Sequence, residues 1–490
     1  MLGLFTLLAA VGAACGSARS TSQASTAATA AGTVSVSAAT KGPAVPTGFL
    51  GISMEYKGLE AYAGTNPAAP DPAFVQLLRN LAPQGGFVLR IGGDSSDWSW
   101  WPVPHMAQPG GVKYDLTPLW ASVARSVIAA LDGHLILGIN FEADSKKLAA
   151  YEADQLLSHV GASDISAFEL GNEPELYASF PWYKNSAGKH VYGRAPGYSP
   201  TSYIGDFGNV ASGLPKVAVA GPSSGSANWL ADLGSFLSHE SRVGLATVHA
   251  YPLKHCVASS FSTPQDLFTS ASLQGLANQI GGWEKTAAAH HVHLRVDEMN
   301  SVSCGGQKGL SQAFAPALWA LEVLPLIEQT GAVGVNFHTV PDTNNALISA
   351  TETGGHWQVT VEPEFYGLIA FAQAAPTGSS FLRISAPSVS GVDAWATRGP
   401  GAQTHVVLVN TSTTARSIHL KVAGASGPAA LTRLQASGLS ATGGVTLAGT
   451  SLSPSTGALS GTVNATQVAP AAGGYPIELP PATATILSLG

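Results

Sequence analysis

Eight short apolar runs, each followed by a segment with helical spacing, constrain the fold of this chain more than any other feature. Alternating strands and helices form a parallel sheet covered by helices. Eight units suit a (β/α)8 TIM barrel, although an open doubly wound sheet would use the same local elements. Polar residues end nearly every run, which favours the barrel, because barrel active sites are built at the C-terminal strand ends. The runs are FLGISME (49–55), FVLRIGG (87–93), HLILGIN (134–140), ISAFELGN (165–172), KVAVAGP (216–222), VGLATVHAY (243–251), VHLRVDEMN (292–300) and AVGVNFHTV (332–340).

Capping residues and apolar spacing predict the helices between these runs. Asp71-Pro72 is typical of an N-cap followed by a first-turn proline, and Thr117-Pro118 repeats the pattern. Longer helical stretches are expected at 264–289 and 311–329. Together the runs and helices place the barrel at residues 45–375.

The rhythm changes after about residue 376. Segments such as SGVDAWATRG, THVVLVNTS, SIHLKVAG and ATILSLG alternate with period two between turn-forming residues. This pattern predicts an additional antiparallel β-sandwich domain over 376–490, completed by an alternating stretch at 32–44. The alternative is a separate carbohydrate-binding module on a flexible tether. No clear linker precedes the domain, so we expect it to pack on the barrel.

Residues 1–31 are predicted to be a signal peptide and a disordered linker. The segment MLGLFTLLAAVGAACGS is an apolar run with small residues behind it, too short to span a bilayer. Cys15 is a candidate lipid-attachment residue, and cleavage that discards it is the alternative. In either case the chain is expected to be secreted or attached to the cell surface.

Two cysteines remain after this leader, Cys256 and Cys304. An exported chain with two cysteines favours a disulfide, and both residues lie just past predicted strand ends. Two buried thiols are the alternative. Only 11% of the residues are charged, which also suits an extracellular protein with a polar, weakly charged surface.

The net charge of −7 argues against nucleic acid or an anionic membrane surface as a partner. No cofactor is implied, because LRIGGD lacks the glycine spacing of a dinucleotide loop. His249, His255 and His338 match no metal-ligand spacing, so no metal site is predicted. His249 and His338 are instead expected to be orienting hydrogen-bond partners at strand ends. The sequence carries no signal that sets the oligomeric state.

Two predicted strands end in glutamates within polar, turn-forming sequence, FELGNEPEL and RVDEMNS. Hydrolysis of a glycosidic bond needs a proton donor for the leaving oxygen and a second carboxylate near the anomeric carbon. Glu173 fits the general acid/base, Glu298 the nucleophile, and Asn172 a partner of the sugar's 2-hydroxyl. A retaining mechanism predicts carboxyl groups about 5–5.5 Å apart. The alternative is that both glutamates are ordinary surface acids.

Asn-Glu-Pro on the fourth strand and Glu on the seventh resemble the retaining glycoside hydrolases of clan A. Within that clan the chain resembles glycoside hydrolase family 79, which includes β-glucuronidases and heparanases. The resemblance covers nearly the whole mature chain and implies a barrel with a β-domain built from both ends of the sequence. The segments that carry it are LRIGGDSSDW (89–98), FELGNEPEL (168–176), TVHAYPLKHC (247–256), DEMNSVSCGG (297–306) and VNFHTV (335–340).

The resemblance also implies how the sugar is held. Gly305 and Gly306 would donate backbone N–H bonds to a uronate carboxylate, although a plain turn is the alternative. Tyr251 matches a family position that faces this carboxylate and the nucleophile. Glu55 and Asp94 would bond ring hydroxyls, with loop caps or salt bridges as the alternative. Weaker candidates are Asn140 and Trp98.

The function that this resemblance implies is that of a retaining exo-β-glucuronidase. Its partners would be glucuronic-acid-containing glycans or glucuronide conjugates. One alternative is a clan A retaining β-glycosidase for a neutral sugar, such as a β-glucosidase or β-xylosidase. The other is a non-catalytic carbohydrate-binding barrel.

Overall fold

The computed structural model describes residues 32–385 and 389–490; the predicted leader, linker and Cys15 lie outside these ranges. Eight parallel strands close into a barrel in chain order, and the last strand pairs with the first. The predicted barrel is therefore confirmed. Its strands are β1 Leu50–Glu55, β2 Val88–Gly92, β3 His134–Ile139, β4 Ile165–Leu170, β5 Val219–Ser224, β6 Val243–Ala250, β7 His293–Met299 and β8 Gly334–Thr339.

Eleven α-helices are found in the described residues. Asp71 and Thr117 cap α2 and α4 as expected, each accepting a bond from a backbone N–H of the first turn. The helices are α1 Tyr56–Ala63, α2 Pro72–Leu81, α3 Ser95–Trp98, α4 Pro118–Ala130, α5 Lys146–Val160, α6 Pro200–Ala211, α7 Ala227–Leu230, α8 Leu233–His239, α9 Leu276–Ala289, α10 Ala315–Glu328 and α11 Pro363–Ala374. None of them is long and apolar enough to cross a membrane.

The single helix expected at 264–289 is wrong in its first half. Pro264–Phe268 is a 3-10 helix and Ala271–Gly275 a π-helical turn, so α9 begins only at Leu276. Thr263 and Asp266 form a capping box that closes the 3-10 turn as a separate unit. Local side-chain bonds therefore override the helical spacing of the sequence.

The C-terminal region forms one ten-stranded sheet together with the N-terminal strand. Gly32–Ala44 pairs antiparallel with Ser380–Ser385 and parallel with Arg416–Val422. The expected antiparallel β-domain is confirmed, with this one parallel pair in the described part of the sheet. The strand order is Thr446–Leu447, Ala429–Gln435, Thr483–Leu489, Thr404–Asn410, Val392–Arg398, Ser380–Ser385, Gly32–Ala44, Arg416–Val422 and Tyr475–Leu479, with Thr466–Val468 also paired to Ala429–Gln435.

The β-domain packs on the barrel through α10 and α11. Trp395 Nε1 donates to the backbone oxygen of Leu321 in α10 at 2.8 Å, and its ring contacts Phe371 of α11. Both helices are buried on almost every face, which explains why their sequences lack a polar stripe. This packing covers the side of the barrel formed by α10 and α11.

Short two-stranded sheets stiffen several loops. One of them joins the loops that follow β6 and β7. The pairs are Ser99–Trp100 with Tyr114–Asp115, Tyr183–Lys184 with His190–Val191, Leu253–Lys254 with Val302–Ser303, Ile348–Thr353 with His356–Val361, and Ser451–Leu452 with Leu459–Ser460.

Candidate active site

Barrel closure brings Glu173 and Glu298 together at the C-terminal ends of β4 and β7. One carboxylate oxygen of each lies within 4.8 Å of the other. Glu298 is part of β7, whereas Glu173 follows β4 and has a left-handed backbone with φ of 46°. This conformation is unfavourable for a residue with a side chain and is typical of positions held by their surroundings. Here the Glu173 N–H donates to the Ser223 oxygen at 2.8 Å.

Glu298 is surrounded by donors. Arg90 Nη1 and the Tyr251 hydroxyl each donate to it at 2.8 Å, one to each carboxylate oxygen. His249 Nδ1 and His338 Nδ1 lie 3.7 Å and 3.8 Å away. Burial alone would raise the pKa of Glu298, but the histidines and Arg90 outweigh it and hold that pKa well below its usual range. Glu298 is therefore ionised at neutral pH.

His249 connects the two glutamates. Its Nδ1 lies 3.0 Å from Glu173 Oε1, and its Nε2 lies 3.0 Å from the Ser223 hydroxyl. Burial disfavours the charged imidazole, but Glu298 and Asp297 outweigh burial and raise the His249 pKa to about 10. The protonated ring then donates to Glu173 Oε1, which leaves Oε2 free to face a substrate.

His338 holds the other side of Glu298. Its Nδ1 bonds the Ser53 hydroxyl at 2.9 Å, and its Nε2 lies 3.5 Å from Glu55. Burial opposes its charge, but Glu298 and Glu55 raise the His338 pKa. Both histidines are thus placed as orienting partners of the carboxylates.

Arg90 is the residue at the centre of the site that the sequence reasoning missed. Its side chain is fully buried, and its Nε donates to Glu169 at 2.7 Å and lies 3.2 Å from Asp297. Its Nη2 donates to Asn172 at 2.9 Å and to Ser223 at 3.1 Å. Burial would lower the pKa of the guanidinium, but the charges of Glu169, Asp297 and Glu298 outweigh burial and raise that pKa. One lone cation inside the apolar run FVLRIGG was the available signal.

Replacing Arg90 with Met is expected to lower the free energy of unfolding by roughly 3–5 kcal/mol, because it strands buried carboxylates without a counterion. Urea unfolding followed by tryptophan fluorescence measures this change. Arg242→Met is the matched control, since the Arg242 guanidinium donates to four backbone oxygens and no carboxylate. Equal losses for the two variants would contradict the charge-balancing role.

Acidic and amide groups surround the opening of the barrel at the C-terminal ends of its strands, which is called the mouth below. Asn172 Nδ2 donates to Asp94 at 3.2 Å, and Glu55, the last residue of β1, accepts from the Ser95 N–H at 2.8 Å. Asp94 is reached by solvent although many atoms crowd it. These atoms displace water from the carboxylate and so disfavour its charged form. This loss of hydration and, after it, the negative charges of Glu55 and Glu173 raise the pKa of Asp94 to about 7. Asp94 can therefore accept or donate a bond to a hydroxyl near neutral pH.

The weaker candidates support the loops. Asn140 is buried and donates to the backbone oxygens of Asp97 and Ser99. Asp97, which the sequence reasoning did not single out, accepts from Tyr177 at 2.6 Å and from three backbone N–H groups of the next two loops. Trp98 is half-buried, with Lys113 Nζ 3.5 Å from its ring centroid. The neighbouring tryptophans are both buried, Trp100 and Trp101.

Cys256 and Cys304 form a disulfide in this structure. It reinforces the two-stranded link between the loops after β6 and β7. Gly305 and Gly306 follow with φ of 78° and 80°, and a side chain at Gly306 would meet Asn345 within 2.4 Å. Gly306 is buried and its N–H donates to Ser303 at 3.4 Å, whereas Gly305 is exposed. The turn requires glycine and exposes the backbone of one of the two expected donors.

Reduction of this disulfide is expected to raise KM by about 3- to 10-fold with less than about a twofold change in kcat, because loosened donors cost binding more than chemistry. Steady-state kinetics of the Cys256→Ser/Cys304→Ser double variant measure the same effect without a reductant. Unchanged kinetics in both experiments would contradict a positioning role for the bond.

Glu173, His249 and Glu298 each offer one metal-ligating atom, and these atoms lie within 4.8 Å of one another. The donor set does not fit a metal ion. Arg90 Nη1 and the Tyr251 hydroxyl already bind the two oxygens of Glu298 at 2.8 Å, and His249 Nδ1 bonds Glu173 at 3.0 Å. The cluster is better described as a hydrogen-bonded charge network.

Comparison with known proteins adds information on the fold. No family model matches the chain, and no curated protein is similar to it in sequence. A 4-O-α-L-rhamnosyl-β-D-glucuronidase from Fusarium oxysporum superposes with a TM-score of 0.69 at 16% identity, over 93% of this chain and 100% of that one.

Two arabinofuranosidases are also similar in structure. The GH51 enzyme from Xanthomonas axonopodis gives a TM-score of 0.62 at 13% identity, over 94% of this chain and 100% of that one. The enzyme from Thermotoga maritima gives 0.62 at 14% identity, over 93% and 99%. The chain therefore has the fold of these glycoside hydrolases, a closed (β/α)8 barrel with a β-domain attached.

Proposed function

We propose that this protein is a retaining exo-β-glucuronidase, with Glu298 as nucleophile and Glu173 as general acid/base. The observation that carries the proposal is the pair of carboxylates whose oxygens approach within 4.8 Å, one of them kept ionised by Arg90 and two histidines. Inverting enzymes leave about 6.5–9.5 Å between their carboxyl groups to admit a water molecule. The short separation supports double displacement.

In the first step Glu298 attacks the anomeric carbon while the glycosidic C–O bond breaks. Glu173 transfers its proton from Oε2 to the leaving oxygen, and His249 holds Oε1. In the second step the Glu173 carboxylate takes a proton from water, whose oxygen displaces Glu298 from the sugar. Two inversions give net retention. Before the reaction the Tyr251 hydroxyl donates to Glu298 Oε1.

Four observations support a β-glucuronide as the substrate. The exposed Gly305 backbone offers a donor for the substrate carboxylate, and Tyr251 stands beside the nucleophile. Asp94 and Glu55 provide partners for ring hydroxyls near Asn172. Among structurally similar proteins is the glucuronidase from Fusarium oxysporum.

A panel of aryl β-glycosides tests the sugar. We expect kcat/KM for the glucuronide to exceed that for the glucoside and xyloside by about 100-fold or more, because a site built for a polar group rejects substrates that leave its donors unpaired. NMR of the first-formed product measures retention. A preference for the glucoside or xyloside would establish the neutral-sugar alternative. Hydrolysis of no glycoside would favour a binding protein.

Export belongs to the same proposal. The disulfide between Cys256 and Cys304 supports folding in an oxidising compartment. Fractionation of cells that express the full chain tests it: secreted or surface-attached protein is expected, and reduced protein retained inside the cell would contradict it.

A further inference from the structure

Exposed apolar side chains are concentrated on two loops at the C-terminal end of the barrel. Seven large apolar residues are exposed in the described part of the chain, and five of them lie on the loops that follow β4 and β6. Large exposed apolar groups on a folded surface are typical of binding sites when they cluster. The five are Leu176, Phe180, Tyr192, Val257 and Phe261.

The first loop begins at Glu173. Leu176 and Phe180 share one face of a turn, because Phe180 N–H donates to the Leu176 oxygen at 2.7 Å. Tyr192 lies on the returning arm, between a Trp182–Val191 bond of 2.9 Å and an Arg194–Tyr177 bond of 3.0 Å. The loop that begins at Glu173 therefore holds all three apolar residues in a hydrogen-bonded structure.

A buried cation fixes this loop. The Arg194 guanidinium lies 5.0 Å, 5.6 Å and 5.4 Å from the rings of Phe141, Tyr177 and Tyr198. It also donates to the backbone oxygens of Phe141 and Glu142 at 3.1 Å. Phe180 lies on this loop and is 59% exposed. Because the loop is already held in place, a ligand that binds to it does not have to order it first.

The second loop is fixed to the strand-seven loop. The disulfide closes it at Cys256, and Gln307 bonds both the N–H and the oxygen of Ser262 at 2.8 Å and 2.7 Å. Between these ties Phe261 is 73% exposed, with its ring 5.2 Å from that of His255. Both loops are therefore held in place and carry exposed apolar side chains. They follow the strands β4 and β6, just after which Glu173 and Tyr251 lie.

We infer that these loops form an aglycone site for a flat apolar group, so that the substrates are glucuronides of aromatic or other hydrophobic alcohols. The inference rests on the proposed function. The leaving oxygen is bonded by Glu173, so the aglycone extends from the residue at which the first loop begins. Phe180, Val257 and Phe261 offer apolar area and no hydrogen-bonding group, so they favour an apolar aglycone over one that carries hydroxyls.

Two aryl glucuronides test this inference, the 4-methylphenyl and biphenyl-4-yl compounds. Their leaving phenols have similar acidity, so a difference in kcat/KM reports on binding of the second ring. We expect the wild type to prefer the biphenyl substrate by about tenfold, mainly through a lower KM, since burial of a phenyl ring readily supplies a factor of this size.

Phe180→Ser and Phe261→Ser are expected to lower kcat/KM for the biphenyl substrate by about 3- to 10-fold and for the methylphenyl substrate by less than about twofold. Val463→Ser is the matched control, because Val463 is 65% exposed and belongs to the β-domain. It should change neither value.

Equal kcat/KM of the wild type for both substrates, or equal effects of the Phe variants on both, would overturn the aglycone site. Higher kcat/KM for a glucuronyl disaccharide than for the biphenyl compound would also overturn it. These outcomes leave glucuronidase activity in place. Hydrolysis of no glucuronide at all would instead refute the proposed function, and the inference with it.

Discussion

Glu298→Ala is expected to lower kcat by about 10⁴-fold or more, because the variant lacks the carboxylate on which the glycosyl-enzyme bond forms. The variant should remain folded, since Arg90 keeps Glu169 and Asp297 as buried partners. The measurement is turnover of an activated aryl glucuronide, together with circular dichroism to confirm the fold. Glu240→Ala is a matched control that removes a buried glutamate three residues before the start of β6.

Azide makes the Glu298 experiment more specific. Removal of the carboxylate opens the face from which Glu298 attacks, so azide should enter there and give the inverted glycosyl azide. Wild-type-like turnover of Glu298→Ala, or an azide product of retained configuration, would contradict the assignment of Glu298 as nucleophile. Loss of folding does not imitate this pattern, because an unfolded chain forms no glycosyl azide.

The barrel and the two glutamates could be predicted because each leaves a local signal. An apolar run followed by a segment with helical spacing recurs eight times, and every barrel strand falls within or beside one of the predicted runs. Glu173 and Glu298 stand at strand ends, where barrel geometry alone brings side chains together. Closure of the sheet, which the count of eight already implied, brings the two glutamates together although they are far apart in the sequence.

The charge network could not be predicted in the same way. Arg90 bonds groups from β4, β5 and β7, and no spacing in the sequence indicates which of these strands lie across the barrel from it. Asp97 is similar, because its four partners lie on loops whose paths are set by tertiary packing. Lone charges inside apolar strands, as at Arg90 and Glu169, were the only local sign.

The 3-10 turn at Pro264–Phe268 and the glycine loop show the same limit at smaller scale. Thr263 and Asp266 replace helical bonds with side-chain bonds, which apolar spacing does not register. Gly306 is required because Asn345 approaches from the loop after β8, so its role depends on a residue 39 positions away. Contacts between loops therefore decide the fine structure of the mouth.

Glu173→Ala is expected to lower kcat/KM by about 10²- to 10⁴-fold for alkyl glucuronides, whose leaving oxygens need a proton. The 2,4-dinitrophenyl glucuronide should lose far less in kcat/KM, because its leaving phenolate departs unprotonated. Its kcat should still fall, since no carboxylate remains to activate water, and the glycosyl-enzyme should accumulate and lower KM. The alkyl and dinitrophenyl glucuronides therefore serve as controls for each other, because both are measured with the same variant.

Azide distinguishes the role of Glu173 from that of Glu298. In Glu173→Ala the glycosyl-enzyme still forms on Glu298, so azide must attack the opposite face and give a product of retained configuration, with kcat restored. A loss that is the same for both leaving groups, or an inverted azide product, would contradict the acid/base assignment. Because His249 bonds Glu173 at 3.0 Å and lies 3.7 Å from Glu298, a disturbance of the site as a whole would affect both substrates alike. Dependence on the leaving group therefore isolates proton transfer at Glu173 from its contribution to the charge network.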